Sequence, residues 1–170
     1  MRVDFHIHTQ KCKSGDSPKR KISPKDFIKK MDENNVVMCA ITNHNKFCKE
    51  EFQEILDSDP NFSIFPGIEL DILMDENKHY HTIVICDPSE MKQFYETFDN
   101  DNNRDYDKFS LEYQDFINKV KEFSNEKIMI IPHFLDKDKK RAFTIKDKDK
   151  LISDLKDYVV ILEPGKIHTM

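Results

Sequence analysis

The sequence predicts an α/β fold built on a mostly parallel sheet. Short apolar runs of strand length alternate along the chain with stretches in which apolar residues recur every three or four positions, as in an amphipathic helix. The run 36–41 (VVMCAI) is apolar throughout, which is typical of a strand buried on both faces of a parallel sheet. Strands and helices that alternate in this way favour a layered α/β architecture.

The predicted elements in the first half of the chain have clear boundaries. Residues 2–8 alternate between apolar and polar side chains, which is the period of a strand. Ser23 and Pro24 are a typical N-cap and first helical residue, and the helix that they begin is expected to end near Asn34 and Asn35. The other elements predicted here are a strand at 36–41, a helix at 49–58 and a strand at 62–66.

The second half begins with two predicted strands, 68–74 and 79–86, which are joined by a turn. Residues 99–107 are rich in Asn and Asp, and we expect them to form a loop. Apolar residues at helical spacing predict a helix near 110–123. The other elements predicted here are helices at 89–98 and around 151–155 and strands at 128–131 and 158–162.

The composition is that of an ordinary globular domain with a heavily charged surface. The chain has 170 residues, of which 38% are hydrophobic and 35% are charged. Its formal net charge is −5, so no basic excess indicates a nucleic-acid-binding protein. An acidic chain can still cut nucleic acid when bound metal ions supply local positive charge, so composition leaves DNA and RNA open as substrates.

The sequence favours a cytoplasmic protein that does not span a membrane. Residues 1–10 lack the apolar core of a signal peptide, and no apolar run approaches the ~20 residues that cross a bilayer. The four cysteines show no CxxC spacing, and Cys39 and Cys86 lie within apolar runs, as reduced core thiols do.

Histidines and one glutamate lie where the predicted strands end. In parallel α/β barrels, functional side chains collect at the carboxyl ends of the strands. A single histidine in such a place is unremarkable, but four successive strand ends that each carry a histidine or an acid indicate a shared site. The residues concerned are His6, His8, His44, Glu69 and His133, and the predicted strand at 79–86 adds His81.

The residue types in this set suit a transition-metal site. Side chains at positions i and i+2 of a strand point the same way, so His6 and His8 can bind one ion or flank a pair of ions. The carboxylate of Glu69 has two oxygens and can bridge two ions. Imidazole together with carboxylate favours Zn, Mn or Fe over Ca or Mg.

Each of these residues taken alone also has an ordinary structural interpretation. His44 could cap the helix that follows it, Glu69 could be a surface charge, and His133 could belong to a turn. His79 is best interpreted as an exposed residue of the predicted hairpin. The interpretation as a metal site therefore rests on the joint occurrence of the set.

Five short motifs follow one another in an order known from one protein family. Residues 4–9 (DFHIHT) match a DxHxHT opening, and Thr42-Asn43-His44 matches a TDH motif with Asn in place of Asp. The other three are Gly67-Ile68-Glu69 for a GxE motif, His81-Thr82-Ile83 for a His-bearing strand and Ile131-Pro132-His133 for an AHP motif. In this order and spacing the chain resembles the PHP (polymerase and histidinol phosphatase) family.

The resemblance implies a distorted TIM-like (β/α)7 barrel with two or three divalent metal ions in a cleft. The ligands that it implies are His6 and His8 for the first metal, Glu69 as a bridge to a second metal held also by His81 and His133, and His44 with Asp16 for a third.

One motif of the family is missing from this chain. PHP domains usually end with Asp-x-His on a late strand, but no such motif follows His133, and Glu163 on the last predicted strand does not replace it. A closed barrel of this type also needs upwards of ~200 residues. We therefore expect residues 1–170 to form a single PHP-like domain with an incomplete barrel, as the N-terminal part of a longer protein. Similar openings precede AAA- or SMC-like ATPase domains, so a downstream or partner ATPase is expected.

Together these features predict a metal-dependent phosphoesterase that attacks its substrate with metal-activated water. We expect Glu69 and His44 to be catalytic, with His44 protonating the leaving group where it is not a metal ligand. Lys13, Lys19 and Arg20 are candidates for contacting the substrate phosphate.

The expected substrate is a phosphoester, with DNA, RNA or nucleotides favoured by the expected ATPase partner. Three alternatives stay open: a small-molecule phosphatase of the histidinol-phosphate type, an amidohydrolase, which also opens with HxH, and a catalytically degraded PHP scaffold that regulates an attached ATPase. The missing Asp-x-His motif favours the last of them.

Overall fold

The computed structural model describes residues 2–75, 78–101, 103–134, 144–161 and 163–164. The chain divides into two compact units. The first comprises Met1–Glu69 and Ile85–Phe109, and the second comprises Leu70–Val84 and Ser110–Met170.

The first unit is built on parallel strands. Strand β1 (Arg2–Ile7) pairs in parallel with β2 (Val36–Ile41), and β2 pairs in parallel with the start of β3 (Ser63–Asp75). The helices of this unit are α1 (Pro24–Glu33), α2 (Lys49–Asp57) and α3 (Met91–Phe98), which follows a 3-10 turn at Pro88–Glu90.

Helix α1 begins and ends where its sequence predicts. The Ser23 hydroxyl accepts a hydrogen bond from the backbone N–H of Asp26, and Pro24 occupies the first turn, where its missing N–H has no consequence. Asn35, just beyond the C-cap Asn34, has a φ of 54°, a left-handed conformation that Asn tolerates better than most residues.

Phenylalanines form much of the core of the first unit. Phe47 packs against Phe52 of α2 and Phe94 of α3, with ring centroids 5.6 and 5.5 Å apart. Phe94 is completely buried and also contacts Phe98 at the end of α3. This apolar cluster supports the segment between β2 and α2, which carries part of the candidate site.

The second unit contains the rest of β3 and the remaining strands. Within it β3 lies next to β4 (Lys78–Cys86), and β4 lies next to β6 (Ile128–Phe134). Strand β6 pairs in parallel with β7 (Val159–Val160) and β8 (Glu163–Pro164), and β3 pairs in parallel with β5 (Leu111–Glu112). The helices of this unit are α4 (Tyr113–Val120) and α5 (Ile145–Asp154).

Helix α5 is fixed by a polar contact at its start. Thr144 is its N-cap and accepts from the backbone N–H of Asp147, while the hydroxyl of Tyr80 on β4 donates to the Asp147 carboxylate. The phenol ring of Tyr80 is buried, so the hydrogen bond supplies the partner that its hydroxyl needs there.

The α/β class predicted from the sequence is confirmed, but two element predictions are wrong. The strands expected at 62–66 and 68–74 form one strand, because Gly67 does not turn the chain: it has no positive φ. The helix expected from 110 begins only at Tyr113, because Leu111 and Glu112 pair with β3 in extended conformation. A closed barrel is not confirmed, since the strand pairings among the described residues run from β1 to β7 without closing.

None of the helices in the described ranges has the length and apolar character that crossing a bilayer requires. The prediction of a single domain that belongs to a longer protein stays a prediction.

Candidate metal centre

Three neighbouring parallel strands bring the predicted ligands of the first unit to one edge of the sheet. His6 lies on β1 and His8 follows it, His44 follows β2, and Glu69 lies on β3. Residue 44 bridges residue 69 in parallel pairing. The backbone N–H of Glu69 donates to Asn43 O at 3.1 Å, and that of Asn45 donates to Glu69 O at 2.7 Å. The register of β2 and β3 therefore fixes His44 beside Glu69.

Three imidazole nitrogens surround one oxygen of a buried carboxylate. The Nε2 atoms of His6, His8 and His44 lie 3.3, 3.2 and 2.9 Å from Oε2 of Glu69. The Nε2 atoms of His6 and His8 are 3.1 Å from each other. Glu69 is only 2% exposed. Ligand atoms of His8, His44 and Glu69 all lie within 4.8 Å of one another, so these residues could hold a metal ion.

The turn after His8 is held by the fully buried side chain of Asn43. Its Oδ1 accepts from the backbone N–H groups of Thr9 and Gln10 at 2.8 and 3.0 Å, and its Nδ2 donates to the Thr9 hydroxyl. That hydroxyl in turn donates to Glu51 on α2 at 2.8 Å. Asn43 thus connects the ends of β1 and β2.

Asp16 and Arg20 approach His44 from the side opposite Glu69. Asp16 Oδ1 lies 2.7 Å from Nδ1 of His44 and accepts from Nη1 of Arg20 at 2.8 Å. Asp16 Oδ2 accepts the backbone N–H groups of Cys12 and Lys13. With Asp16 on Nδ1, the His44 ring directs Nε2 towards Glu69. Asp16 therefore lies next to the cluster and contacts the ring of His44.

Burial and hydrogen bonding favour the neutral form of His8 and the ionised form of Asp16. Burial lowers the pKa of His8, with His44 and Arg20 acting in the same direction and Glu69 opposing it. Burial alone would raise the pKa of Asp16, but hydrogen bonds from backbone N–H groups and from His44 hold it below its usual range. Neutral imidazole and ionised carboxylate are the forms that bind metals.

The second unit holds the other two predicted ligands. Nε2 of His81 lies 2.7 Å from Oδ1 of Asp71, and the rings of His81 and His133 are 5.7 Å apart between centroids. Sequence reasoning missed Asp71, although it lies two residues after Glu69 on the same strand and so on the same face. The side chain of Glu163 lies outside the described residues.

The remaining candidates differ in exposure. His79 is exposed on β4, as its interpretation as a hairpin residue requires. Of the three predicted phosphate contacts, Lys13 is buried, Lys19 is exposed, and Arg20 contacts His44 through Nη1. The ligand roles assigned to His6, His8, Asp16, His44, Glu69, His81 and His133 stay predictions.

A buried ion pair of the first unit contacts the backbone of the segment that follows His44. Asp99 is 5% exposed and accepts the backbone N–H of Phe47 at 2.7 Å, and Nη1 of Arg104 lies 3.3 Å from its other oxygen. Burial raises the pKa of Asp99 to about 6, although the Phe47 hydrogen bond and the nearby Arg104 and Lys46 favour its ionised form.

The comparison with known proteins supports the fold. No protein-family model matches the chain, and no curated protein matches it. A similar solved structure is that of a proposed metal-dependent phosphoesterase from Bifidobacterium adolescentis ATCC 15703. The two chains are 12% identical, and the match has a TM-score of 0.58 and covers 95% of this chain and 75% of the other. At this identity the likeness shows a shared fold.

The raised pKa of Asp99 predicts a pH-dependent stability. The folded state holds this proton more tightly than the unfolded chain does, so ionisation of Asp99 destabilises the fold as pH rises from about 4 to about 6. Relative to Asp99→Asn, the wild type should therefore lose up to about 3 kcal/mol of unfolding free energy across this window. Urea unfolding of both proteins at a series of pH values in EDTA measures this difference in unfolding free energy. A difference that does not change with pH would contradict the prediction, and Asp115→Asn, at an exposed carboxyl, is the control.

Proposed function

We propose that this chain is a PHP-type metal-dependent phosphoesterase that hydrolyses phosphoester bonds. The observation that carries the proposal is the convergence of Nε2 of His6, His8 and His44 on one oxygen of buried Glu69. The fold shared with a proposed metal-dependent phosphoesterase supports the same class of chemistry.

The residues present fit a divalent transition metal. Ligand atoms of His8, His44 and Glu69 lie within 4.8 Å of one another, so one cation could contact all three. Their nitrogen and oxygen donors suit Zn, Mn or Fe. When bound, the metal would lower the pKa of a water molecule and polarise a phosphoryl oxygen.

Asp16 supports this chemistry by orienting His44. A carboxylate on Nδ1 of a histidine fixes the ring and its tautomer, so that Nε2 presents its lone pair. This favours His44 as a ligand over His44 as the acid that protonates the leaving group. It also favours Asp16 as the orienting partner of a ligand over Asp16 as a ligand itself.

Arg20 is the candidate for binding the substrate phosphate. Its Nη1 bonds Asp16, and the side chain is 30% exposed. It also lines a groove of about 600 Å³, whose other charged residues are Lys11, Lys21, Glu50, Glu51 and Glu54. A guanidinium presents several N–H donors in a fork that matches phosphate oxygens. One donor can hold Asp16 while others contact a substrate phosphate beside His44.

The proposal extends to the substrate class, the cellular location and a partner domain. We propose nuclease or phosphodiesterase activity on nucleic acid or nucleotides, in a cytoplasmic protein that acts with a downstream or partner ATPase domain. Phosphatase activity on a small phosphomonoester is the alternative, and the approximate size of the groove is also compatible with a small ligand.

The first test of the proposed function concerns metal content and turnover. Protein purified without chelators should contain Zn, Mn or Fe and hydrolyse at least one substrate of a panel of single-stranded DNA, RNA, nucleotides and small phosphomonoesters. Glu69→Gln and His44→Ala should lower metal content and reduce turnover at least 100-fold, because each removes a converging ligand atom. Elemental mass spectrometry and hydrolysis rates measure both effects.

His79→Ala is the matched control, since it removes an exposed histidine outside the cluster. Turnover that survives EDTA, or wild-type protein without metal, would refute the proposal. Cleavage of amides but not phosphoesters would favour the amidohydrolase alternative.

A second prediction isolates the role of Asp16. Asp16→Asn should weaken metal binding by about 10-fold to 100-fold, because an amide orients His44 less strongly than a carboxylate does. Titration of metal-free protein with Mn²⁺ or Zn²⁺ measures the affinity, and Asp32→Asn at an exposed carboxyl is the control. Loss of metal as complete as in Glu69→Gln would instead indicate that Asp16 is itself a ligand.

A third prediction concerns Arg20. Arg20→Ala should raise KM for the phosphoester about 10-fold or more, because a charge-assisted hydrogen bond to phosphate contributes about 1.5–3 kcal/mol. Steady-state kinetics measure KM, and metal content is measured on the same samples because Arg20 also contacts Asp16. Lys25→Ala, an exposed cation of α1, should leave KM unchanged. An unchanged KM in Arg20→Ala would remove Arg20 from substrate binding.

A further inference from the structure

The chain directly after His44 is held by a distant segment of the same unit. We name residues 98–109 the strap; Asn102 within it lies outside the described residues. The backbone N–H of Phe47 donates to Asp99 at 2.7 Å, and Nη1 of Arg104 donates to Asn45 O at 3.1 Å. The strap therefore supplies a hydrogen-bond acceptor and a donor to the backbone within three residues of His44.

Asn45 connects the strap to the metal cluster. It is completely buried, and its side-chain amide donates to the carbonyl oxygens of Tyr106 and Phe109 at 3.3 and 3.2 Å. Its backbone N–H donates to Glu69 O, and its φ is 53°. One residue in a left-handed conformation thus bonds the strap on one side and Glu69 on the other, immediately after His44.

Arg104 is a buried residue of the strap that contacts both ends of the strap as well as Asn45. Its side chain is 8% exposed, and Nη1 donates to Phe98 O at 2.6 Å besides its bond to Asn45. The guanidinium lies over the ring of Phe109, 4.0 Å from the centroid. A lysine could supply the charge but neither the planar contact nor the same reach to several acceptors.

The buried ion pair of Asp99 and Arg104 is not expected to contribute much to the stability of the strap. Within the described ranges, Nε of Arg104 and Oδ1 of Asp99 are buried without a hydrogen bond. Such groups lower stability, and buried ion pairs seldom stabilise more than apolar residues of similar volume. What the pair does supply is a defined position for the carbonyl of Asn45 and the N–H of Phe47.

We infer that Asp99 and Arg104 are positioning residues of the metal centre, which hold His44 in place through Phe47 and Asn45. The inference rests on the proposed function, because the ring that they position is a proposed ligand. The His44 ring has contacts of 2.7 Å to Asp16 and 2.9 Å to Glu69, so a backbone shift of a few tenths of an ångström changes both. Metal sites lose affinity and activity when the residues around the ligands no longer hold those ligands in the required geometry.

The experiment compares Arg104→Lys with wild type in three measurements. The expected results are at least a tenfold loss of affinity for Mn²⁺ or Zn²⁺, a fall in kcat with little change in KM, and a change in the His44 ring ¹⁵N resonances of the metal-free protein. Lys108→Arg is the matched control, since Lys108 is 84% exposed on the same strap, and it should behave as wild type.

Asn45→Gly provides a second variant that does not depend on Arg104. Glycine adopts the left-handed conformation easily, but it removes both side-chain bonds to the strap, so it should reproduce the loss of metal affinity in a folded protein. Circular dichroism verifies that each variant is folded at the temperature of the titration.

The outcomes separate this inference from the proposed function. Variants that are less stable but bind metal as wild type does, with unchanged His44 resonances, would overturn the inference and leave the proposed function intact. Wild-type protein that binds no metal would overturn the proposed function and, with it, the positioning role.

Discussion

The structure of the first unit depends on one physical constraint, the burial of the Glu69 carboxylate. An ionised carboxylate removed from water costs several kcal/mol unless hydrogen bonds or positive charge compensate it. Glu69 is 2% exposed and lies among three imidazole nitrogens. The parallel pairing allows this arrangement because it places His44, just after β2, beside Glu69 in the middle of β3.

Around this carboxylate the supporting contacts form successive layers. Asp16 orients His44, and Asn43 ties the end of β1 to the end of β2. Farther out, Asn45 and Arg104 connect the segment after β2 to the strap. Each layer uses a polar side chain that is largely buried and hydrogen-bonded. This is the arrangement by which proteins hold metal ligands within small tolerances.

Much of the fold and the inner part of the site could be predicted from the sequence, because both follow from local patterns. Period-two alternation predicted that His6 and His8 share a face, and the run 36–41 predicted a buried strand whose end carries His44. The continuity of β3 was not predictable, because glycine is compatible with both a turn and an extended strand.

The supporting residues could not be predicted for a different reason. Asp99 and Arg104 lie in a segment whose Asn/Asp-rich composition correctly indicates a loop. Their contacts reach backbone groups more than 50 positions away, and a side chain bonded to a distant carbonyl leaves no periodic signal. Asp71 did leave a signal, the spacing of two from Glu69, but acidic side chains also occur on strands that bind no metal.

The geometry also bears on whether the centre is functional or degraded. A scaffold that no longer bound metal would gain stability from losing a buried acid, since apolar replacements of buried charges are often neutral or favourable. Here Glu69 stays buried, three imidazoles stay directed at it, and a second carboxylate, Asp16, orients one of them. A cation bound among these atoms would take them as ligands and compensate the charge of Glu69. A buried carboxylate with imidazoles directed at it therefore fits the proposed metal centre, although the Asp-x-His motif does not follow His133 in this chain.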